Sequence, residues 1–201
     1  MDESSSNSVL LRGVPAAAPV FSHESRTERF FLFPLEVARL SGNVDRINIT
    51  LRESMLDEIK PSRAGLLEVQ GELRSFNNRS GTGSRLVITV FARKLETPSV
   101  AEWENRAELC GTLCKAPNYR STPMGREITD LLLAVNRHYG RSDYLPCIVW
   151  GRNARRAAHW VVGTSVRLRG RIQSREYIKM LDGMPYRKTA YEVSVSEAEE
   201  I

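Results

Sequence analysis

The stretch VRLRGRIQSREY, Val166–Tyr177, indicates the fold, because its first nine residues repeat the pattern LEVQGELRS of Leu67–Ser75. Three other segments recur in the same order along the chain. Ser8–Gly13 resembles Arg106–Gly111, Phe33–Arg39 resembles Leu131–Arg137, and Arg85–Phe91 resembles Ala190–Ser196. The offsets, in chain order, are 98, 98, 99 and 105 residues. This constant order indicates an internal repeat, so we predict two copies of one domain.

Each copy has the same predicted plan of five strands and one short helix. A glycine-containing strand is followed by two more strands, the helix, and two final strands. The helix is predicted at Asn153–Val161 in the second copy, with Asn153 as N-cap and Gly163 as its end, and at Glu53–Ile59 in the first. This order predicts an all-β protein of two tandem OB-folds, each a five-stranded Greek-key barrel with a short helix between strands 3 and 4.

The repeat also predicts the domain boundaries. Residues 1–7 are expected to form a disordered tail and residues 8–93 the first OB-fold. Residues 94–105 form the predicted linker, and residues 106–197 the second OB-fold.

The composition excludes several classes of protein. No apolar run approaches the roughly 18 residues of a membrane span, and the acidic, serine-rich N-terminus lacks the features of a signal peptide. We therefore expect a cytoplasmic protein without membrane contact. The three cysteines and three histidines lack metal-ligand spacing, and no nucleophile, base and acid form a spaced set, so we predict no metal, no cofactor and no enzymatic activity.

The strand predicted over Val166–Tyr177 has two different faces, because side chains alternate across a sheet. Small and apolar residues from Val166 to Ser174 share the face that suits a core. The other face carries Arg167, Arg169, Arg171, Gln173, Arg175 and Tyr177, with no acid in the row. The equivalent face of the first copy carries Glu68 and Glu72. The fold therefore does not require arginines on this face. Two interpretations are open: a surface that binds a polyanion, and an ordinary solvated sheet face.

The charge distribution along the chain favours the interpretation that this face binds a polyanion. Residues 1–104 contain 13 Lys+Arg and 14 Asp+Glu, a net charge of −1, whereas residues 105–201 contain 16 and 10, a net charge of +6. Only five of the 29 basic residues are lysines. Arginine has a planar, bidentate donor group that suits phosphates and bases.

Aromatic residues interrupt the basic strands of the second copy. In Tyr144–Trp150 the residues Leu145, Cys147 and Val149 share the predicted core face, so Tyr144 and Trp150 point outward. Tyr139 lies just before them, near a hairpin. Exposed rings that stack on bases, beside cations that bind phosphates, are typical of a groove for single-stranded nucleic acid. Packing of a ring under a loop is the structural alternative.

The second copy resembles the bacterial single-stranded DNA-binding protein family over about residues 105–196. The resemblance rests on Leu109–Leu113, Pro117–Arg120, Leu133–Asn136, Tyr144–Arg152, Gly163, Val166–Ser174 and Tyr191–Val195. It implies an OB-fold that binds single-stranded DNA without sequence specificity in replication, recombination or repair. It implies base stacking by Tyr139, Tyr144, Trp150 and Tyr177, and phosphate contacts by Arg152, Arg167, Arg169, Arg171 and Arg175.

Loop and hairpin residues extend this predicted site. Arg120 and Arg126 flank a hairpin-like loop and could close over a strand of DNA, with plain solvation as the alternative. Lys179 belongs to the last hairpin, whose turn is marked by an Asp-Gly pair.

The chain differs from the family pattern in two respects. The family usually carries a long tail with an acidic tip that recruits replication and repair enzymes, whereas this chain stops at Ile201, so recruitment by that route is not expected. The family usually has one OB-fold per chain and forms oligomers, so we predict that the first copy, which lacks the basic and aromatic face, is a fused pairing subunit within a homo-oligomer. The alternatives are a primosome-type accessory protein, an RNA-binding OB-fold protein, or a protein–protein scaffold.

Overall fold

Six strands and one short helix build the first repeat. The computed structural model describes residues 6–77, 86–137, 140–181 and 183–201. The strands are β1 (Asn7–Pro15), β2 (Val20–Ser25), β3 (Glu28–Ala38), β4 (Val44–Arg52), β5 (Leu67–Asn77) and β6 (Leu86–Glu96). A 3-10 helix at Glu53–Glu58 connects β4 to β5.

The second repeat has the same order of elements. Its strands are β7 (Glu104–Leu113), β8 (Asn118–Ser121), β9 (Glu127–Asn136), β10 (Ser142–Trp150), β11 (Ser165–Leu181) and β12 (Met184–Glu200). The helix α1 (Gly151–Ala157) follows β10. The described residues form two compact units, one with residues 8–74 and 89–107, the other with those of 1–7, 75–88 and 108–201.

Strand pairing closes each repeat into a barrel. The strand order is β2-β3-β4-β6-β5-β1 in the first repeat, with β3 also pairing with β1. In the second repeat it is β7-β11-β12-β10-β9-β8, with β7 also pairing with β9. In both repeats the strand before the helix runs parallel to the last strand, β4 to β6 and β10 to β12. The prediction of an all-β tandem OB-fold protein is confirmed.

Glycine permits this closure in the first strand of each repeat. A Cβ atom at Gly111 would lie 2.4 Å from the carbonyl oxygen of Ala134 on β9, and one at Gly13 would lie 2.3 Å from that of Glu36 on β3. Such distances are far inside van der Waals contact, so no larger residue fits without a backbone shift. The predicted glycine in strand one therefore has a steric cause.

Apolar residues of one parity fill each barrel. Leu109, Leu133, Leu145 and Leu168 of the second repeat are fully buried. A buried aspartate occurs at the start of the third long strand in both repeats, Asp45 on β4 and Asp143 on β10. Each is ion-paired with the arginine six residues before it, Arg39 and Arg137, which are 98 residues apart like the first two repeated segments. The pair is therefore part of the repeated unit.

Three details differ from the prediction. The loop after the first strand contains an additional short strand, β2 in one repeat and β8 in the other, which pairs with the next strand. The helix α1 begins at Gly151 because this glycine has a φ of 59°, which turns the chain directly after β10. Asn153 is consequently not the N-cap, and its amide donates to the carbonyl of Ser196 instead, at 3.0 Å. Of the predicted tail, residues 1–5 lie outside the described residues, and β1 already begins at Asn7.

Candidate nucleic-acid interface

The outward face of β10 carries two of the predicted stacking residues. Leu145, Cys147 and Val149 are buried, as their parity predicted. Tyr144 is 49% exposed and Trp150 is partly exposed, so neither ring is sealed in the interior.

A hydrogen bond to the neighbouring strand positions Trp150. Its indole Nε1 donates to the Oγ of Ser194 on β12, at 3.1 Å. Ser194 is paired in register with Ile148, and it alternates with the buried residues Val193 and Val195. The ring therefore lies on the outer face that β10 and β12 share, with its donor satisfied and part of its surface open to solvent.

The alternation predicted for β11 is also present. Val166, Leu168 and Ile172 are buried, whereas Arg169 and Arg175 are exposed. The partly exposed members of the outward row are Arg167, Arg171, Gln173 and Tyr177. One outer face of the second repeat thus carries Tyr177 on β11 and Trp150 and Tyr144 on β10.

The row itself contains no acid, but carboxylates from the two neighbouring strands reach its first arginines. Arg167 forms ion pairs with Glu199 at 2.9 Å and with Glu108 at 3.7 Å. Arg169 pairs with Glu108 at 3.2 Å and with Glu197 at 3.4 Å. The carboxylates belong to β7 and β12, which lie on either side of β11 in the sheet. Hydrogen bonds from Arg169 to Glu108 and Glu197 raise the pKa of this guanidinium above its ordinary value.

Two further predicted cations are held by polar partners on the same repeat. Arg171 is partly buried and donates to the Oε1 of Gln173, at 3.3 Å. Arg120 on β8 forms an ion pair with Asp130 on β9, at 2.6 Å, and this hydrogen bond raises the pKa of Arg120. A phosphate at Arg120, Arg167 or Arg169 would have to compete with a carboxylate, so phosphate binding by these residues stays a prediction.

Four predicted cations are exposed and, within the described ranges, form no ion pair: Arg126, Arg152, Arg175 and Lys179. Arg126 is at the turn between β8 and β9, and Arg152 is the second residue of α1. Arg175 and Lys179 lie on the outward row of β11, on either side of Tyr177. On β11, the cations of the predicted site that could bind a phosphate without displacing a carboxylate therefore lie near the end of the strand rather than at its start. The predicted stacking residue Tyr139 lies outside the described residues.

A tyrosine that the sequence analysis did not single out lies beside this end of β11. Tyr186 on β12 is 50% exposed and is paired in register with Lys179. It therefore shares the face of Lys179 and Tyr177. Tyr186 is two residues before Lys188, so the two side chains lie on the same face of β12. This spacing would have assigned Tyr186 to the site if the hairpin register had been known.

The interpretation that the first repeat lacks an aromatic and basic face is corrected. Phe91 on β6 has the guanidinium carbons of Arg52 and Arg93 at 5.2 and 4.8 Å from its ring centroid. These distances indicate cation–π contacts. Phe91 on β6 is paired in register with Thr50 on β4, as Ser194 on β12 is with Ile148 on β10. In the first repeat the aromatic ring therefore comes from the last strand, whereas in the second repeat the ring of Trp150 comes from the strand before the helix.

The cations of the first repeat are also neutralised. Arg52 pairs with Glu28 at 2.6 Å, and Arg93 pairs with Glu72 at 3.1 Å. A comparison of β4 with β10 alone could not reveal Phe91, because its ring comes from β6.

The described residues contain no cluster of three or more His, Cys, Asp or Glu that could hold a metal ion. Across the same residues, none of the helices has the length and apolar character needed to cross a membrane.

Together, these two closed barrels define a tandem OB-fold protein whose second repeat exposes tyrosine, tryptophan and arginine on one face. Residues 104–201 match the model of the Single-strand binding protein family. This match covers the second repeat, 98 of the 201 residues of the chain.

Two relatives illustrate the match. Single-stranded DNA-binding protein 2 of Listeria innocua is 38% identical over 80 residues, which cover 36% of this chain and 50% of the relative. Single-stranded DNA-binding protein 1 of Staphylococcus aureus is 36% identical over 80 residues, which cover 36% of this chain and 48% of the relative. The chain thus spans about half the length of these relatives.

A solved structure has a similar fold over nearly the whole chain. The single-stranded DNA-binding protein of Thermus aquaticus superposes with a TM-score of 0.75 and covers 97% of this chain and 92% of its own. The sequence identity is 21%, so this likeness concerns the fold alone.

Proposed function

We propose that the protein binds single-stranded DNA with little sequence preference, through the outer face of its second repeat. The observation that carries the proposal is that Tyr144, Trp150 and Tyr177 are all accessible on one sheet face. Arg175, on the same face, forms no ion pair with any residue that the structure describes. Each ring that stacks on a base contributes about 1–3 kcal/mol. Stacking accepts any base, because every base has a π-face, and this accounts for the low sequence preference.

The relatives support the same ligand. Both are named for single-stranded DNA binding, and the family match over residues 104–201 includes this whole face. Roles in replication, recombination or repair, and contacts with proteins of those processes, follow from the family likeness and stay predictions. The individual contributions of the residues on the face also stay predictions.

Replacement of Trp150 by alanine in the full chain tests the proposal. We expect affinity for oligo-dT to fall by about 5- to 140-fold, which corresponds to the loss of about 1–3 kcal/mol of stacking. Trp103→Ala is the matched control, because Trp103 is also exposed, at 44%, but lies between β6 and β7 and on none of the strands that form the face. Absence of binding by the unaltered protein, or equal losses in the two variants, would contradict the proposal.

The first repeat is proposed to have a structural or pairing role. Its Phe91 is covered by two guanidinium groups, and those groups are ion-paired with Glu28 and Glu72, so neither ring nor cation is as available as in the second repeat. Arg93→Ala in the full chain should leave affinity for oligo-dT unchanged. A loss comparable to that of Trp150→Ala would show that the first repeat contacts DNA.

A further inference from the structure

A buried polar cluster lies at the start of β10, beside the predicted stacking residue Tyr144. It consists of Ser75, Arg137, Asp143 and the backbone amide of Tyr144. Ser75, near the end of β5, belongs to the same compact unit as β10. Ser75 is 6% exposed and Asp143 is fully buried, so their hydrogen bonds are shielded from water.

The ion pair of Arg137 and Asp143 holds both backbone groups of Ser75. The amide of Ser75 donates to the Oδ1 of Asp143 at 2.5 Å, and the Nη2 of Arg137 donates to the carbonyl oxygen of Ser75 at 2.9 Å. The Nε of Arg137 also donates to the Oδ2 of Asp143, at 2.7 Å, which fixes the guanidinium against the carboxylate. Because buried polar groups are costly to leave without partners, this arrangement leaves Ser75 few alternative positions.

The hydroxyl of Ser75 accepts a hydrogen bond from the strand that carries Tyr144. The donor is the backbone amide of Tyr144, and the distance to the Oγ of Ser75 is 2.7 Å. On one side of β10, β9 pairs along the whole strand, whereas on the other side β12 pairs only at Cys147–Val149. Tyr144 is therefore beyond the end of the pairing with β12, and the hydroxyl supplies the acceptor that a neighbouring strand would supply.

The same short length of backbone sets the direction of the Tyr144 ring. Side chains alternate along β10, so the inward Asp143 and the outward Tyr144, which is 49% exposed, are positioned together. A ring stacks on a base only when its face is presented to that base. Loosening this end of β10 should therefore weaken stacking even though the ring is still present.

A comparison of the two repeats separates the fold from the site. The first repeat has the same ion pair, Arg39 with Asp45, but the residue after its buried aspartate is Arg46. The ion pair thus belongs to the repeated unit, and only the second repeat has an aromatic ring directly after it.

We propose that Ser75 is a positioning residue of the DNA-binding face, whose hydroxyl holds the backbone of Tyr144 so that the ring is presented for stacking. The inference rests on the proposed function, because it requires Tyr144 to stack on a base. Ser75 is buried, so it contributes to affinity through Tyr144 and does not itself touch the nucleic acid.

A double-mutant cycle in the full chain tests the inference. Fluorescence anisotropy with labelled oligo-dT of about 16 nucleotides, the upper site size of one OB-fold, gives the affinities. Tyr144→Ala should weaken binding by about 5- to 140-fold, as expected for one stacked base. Ser75→Ala should weaken it by about 2- to 12-fold, as expected for one hydrogen bond. In the Tyr144→Ala background Ser75→Ala should have no further effect, because no ring is left to position.

Three further variants separate positioning from general stability. In a Tyr144→Phe background the ring remains, so Ser75→Ala should again weaken binding by about 2- to 12-fold. Ser75→Thr retains an acceptor hydroxyl and should bind more tightly than Ser75→Ala. Ser142→Ala is the matched control, because its hydroxyl is at the same end of β10 but donates to the Oδ1 of Asn136, at 2.9 Å, so this variant should bind normally.

The outcomes distinguish the inference from the proposed function. An equal loss from Ser75→Ala with and without the ring of Tyr144 would show that the hydroxyl supports the fold in general. That result would overturn the inference and leave the binding face intact. Unchanged affinity in Ser75→Ala, or an equal loss in Ser142→Ala, would also overturn the inference. Failure of the wild-type protein to bind oligo-dT would overturn the proposed function and the inference with it.

Discussion

The two exposed arginines of the β11 row differ in their partners, and this difference predicts different salt effects. Arg169 already has Glu108 and Glu197 within 3.4 Å, whereas Arg175 has no ion pair among the described residues. A phosphate that binds Arg175 releases a condensed counterion from the DNA. A phosphate that binds Arg169 must also displace carboxylates, which offsets the gain.

The magnitude follows from counterion release. One phosphate contact contributes a slope of about 0.7 in log K against log salt for a single strand. Between about 50 mM and about 200 mM salt, a fourfold change, one such contact changes affinity by about 2.6-fold. The affinity ratio of wild type to Arg175→Ala should therefore shrink by about 2.6-fold across this range, whereas that of wild type to Arg169→Ala should stay nearly constant.

The assay is a fluorescence anisotropy titration of oligo-dT at several salt concentrations. Arg169→Ala is the matched control, because the two arginines share strand, parity and exposure class and differ in their ion pairs. The reasoning is refuted if Arg169→Ala lowers the salt slope as much as Arg175→Ala does.

Three further predictions concern the geometry of the second repeat. Ser194→Ala should leave the fold intact but lower oligo-dT affinity by no more than about 1.5 kcal/mol, measured by tryptophan quenching, because it removes only the hydrogen bond that orients Trp150. Gly111→Ala should reduce the free energy of unfolding by about 1–3 kcal/mol in urea titration, because its Cβ would overlap the carbonyl oxygen of Ala134; a fully stable variant would contradict the steric account. The hydrogen bond to Glu127 raises the pKa of Tyr119, so ultraviolet titration should give this phenol a pKa above its ordinary value. Glu127→Gln should lower that pKa, and an unchanged titration curve in this variant would show that Glu127 is not the cause.

Much of the fold could be predicted from the sequence. The recurrence of Leu67–Ser75 at Val166–Ser174 required no structural knowledge, and alternation assigned the buried Leu168 and Ile172 correctly. The start of α1 was missed because a glycine with positive φ, Gly151, ends β10 and begins the helix without a capping side chain. Propensity and capping patterns cannot anticipate such a turn, since they describe average helix ends.

The candidate site was only partly predictable. The outward direction of Tyr144 and Trp150 follows from parity within one strand, and the structure has both rings accessible. The register of β11 with β12, which places Tyr186 on the face of Tyr177, depends on a bulge between Arg169 and Gly170 and on the length of the hairpin. Neither can be read from one strand alone.

The sequence by itself determined the number of domains, the parity of each strand, and the family of the second repeat, because these depend on local alternation and on recurring order. The tertiary structure decided which cations are available. Glu108 and Glu197 are 61 and 28 residues away from Arg169 in the chain, and only strand pairing brings their carboxylates to its guanidinium. The charge of a residue is read from the sequence, but its neutralisation depends on the distance to opposite charges in the folded chain. Strand pairing in the barrel therefore neutralises the arginines at the start of β11, and the cations of this strand without an ion pair among the described residues lie near its exposed end.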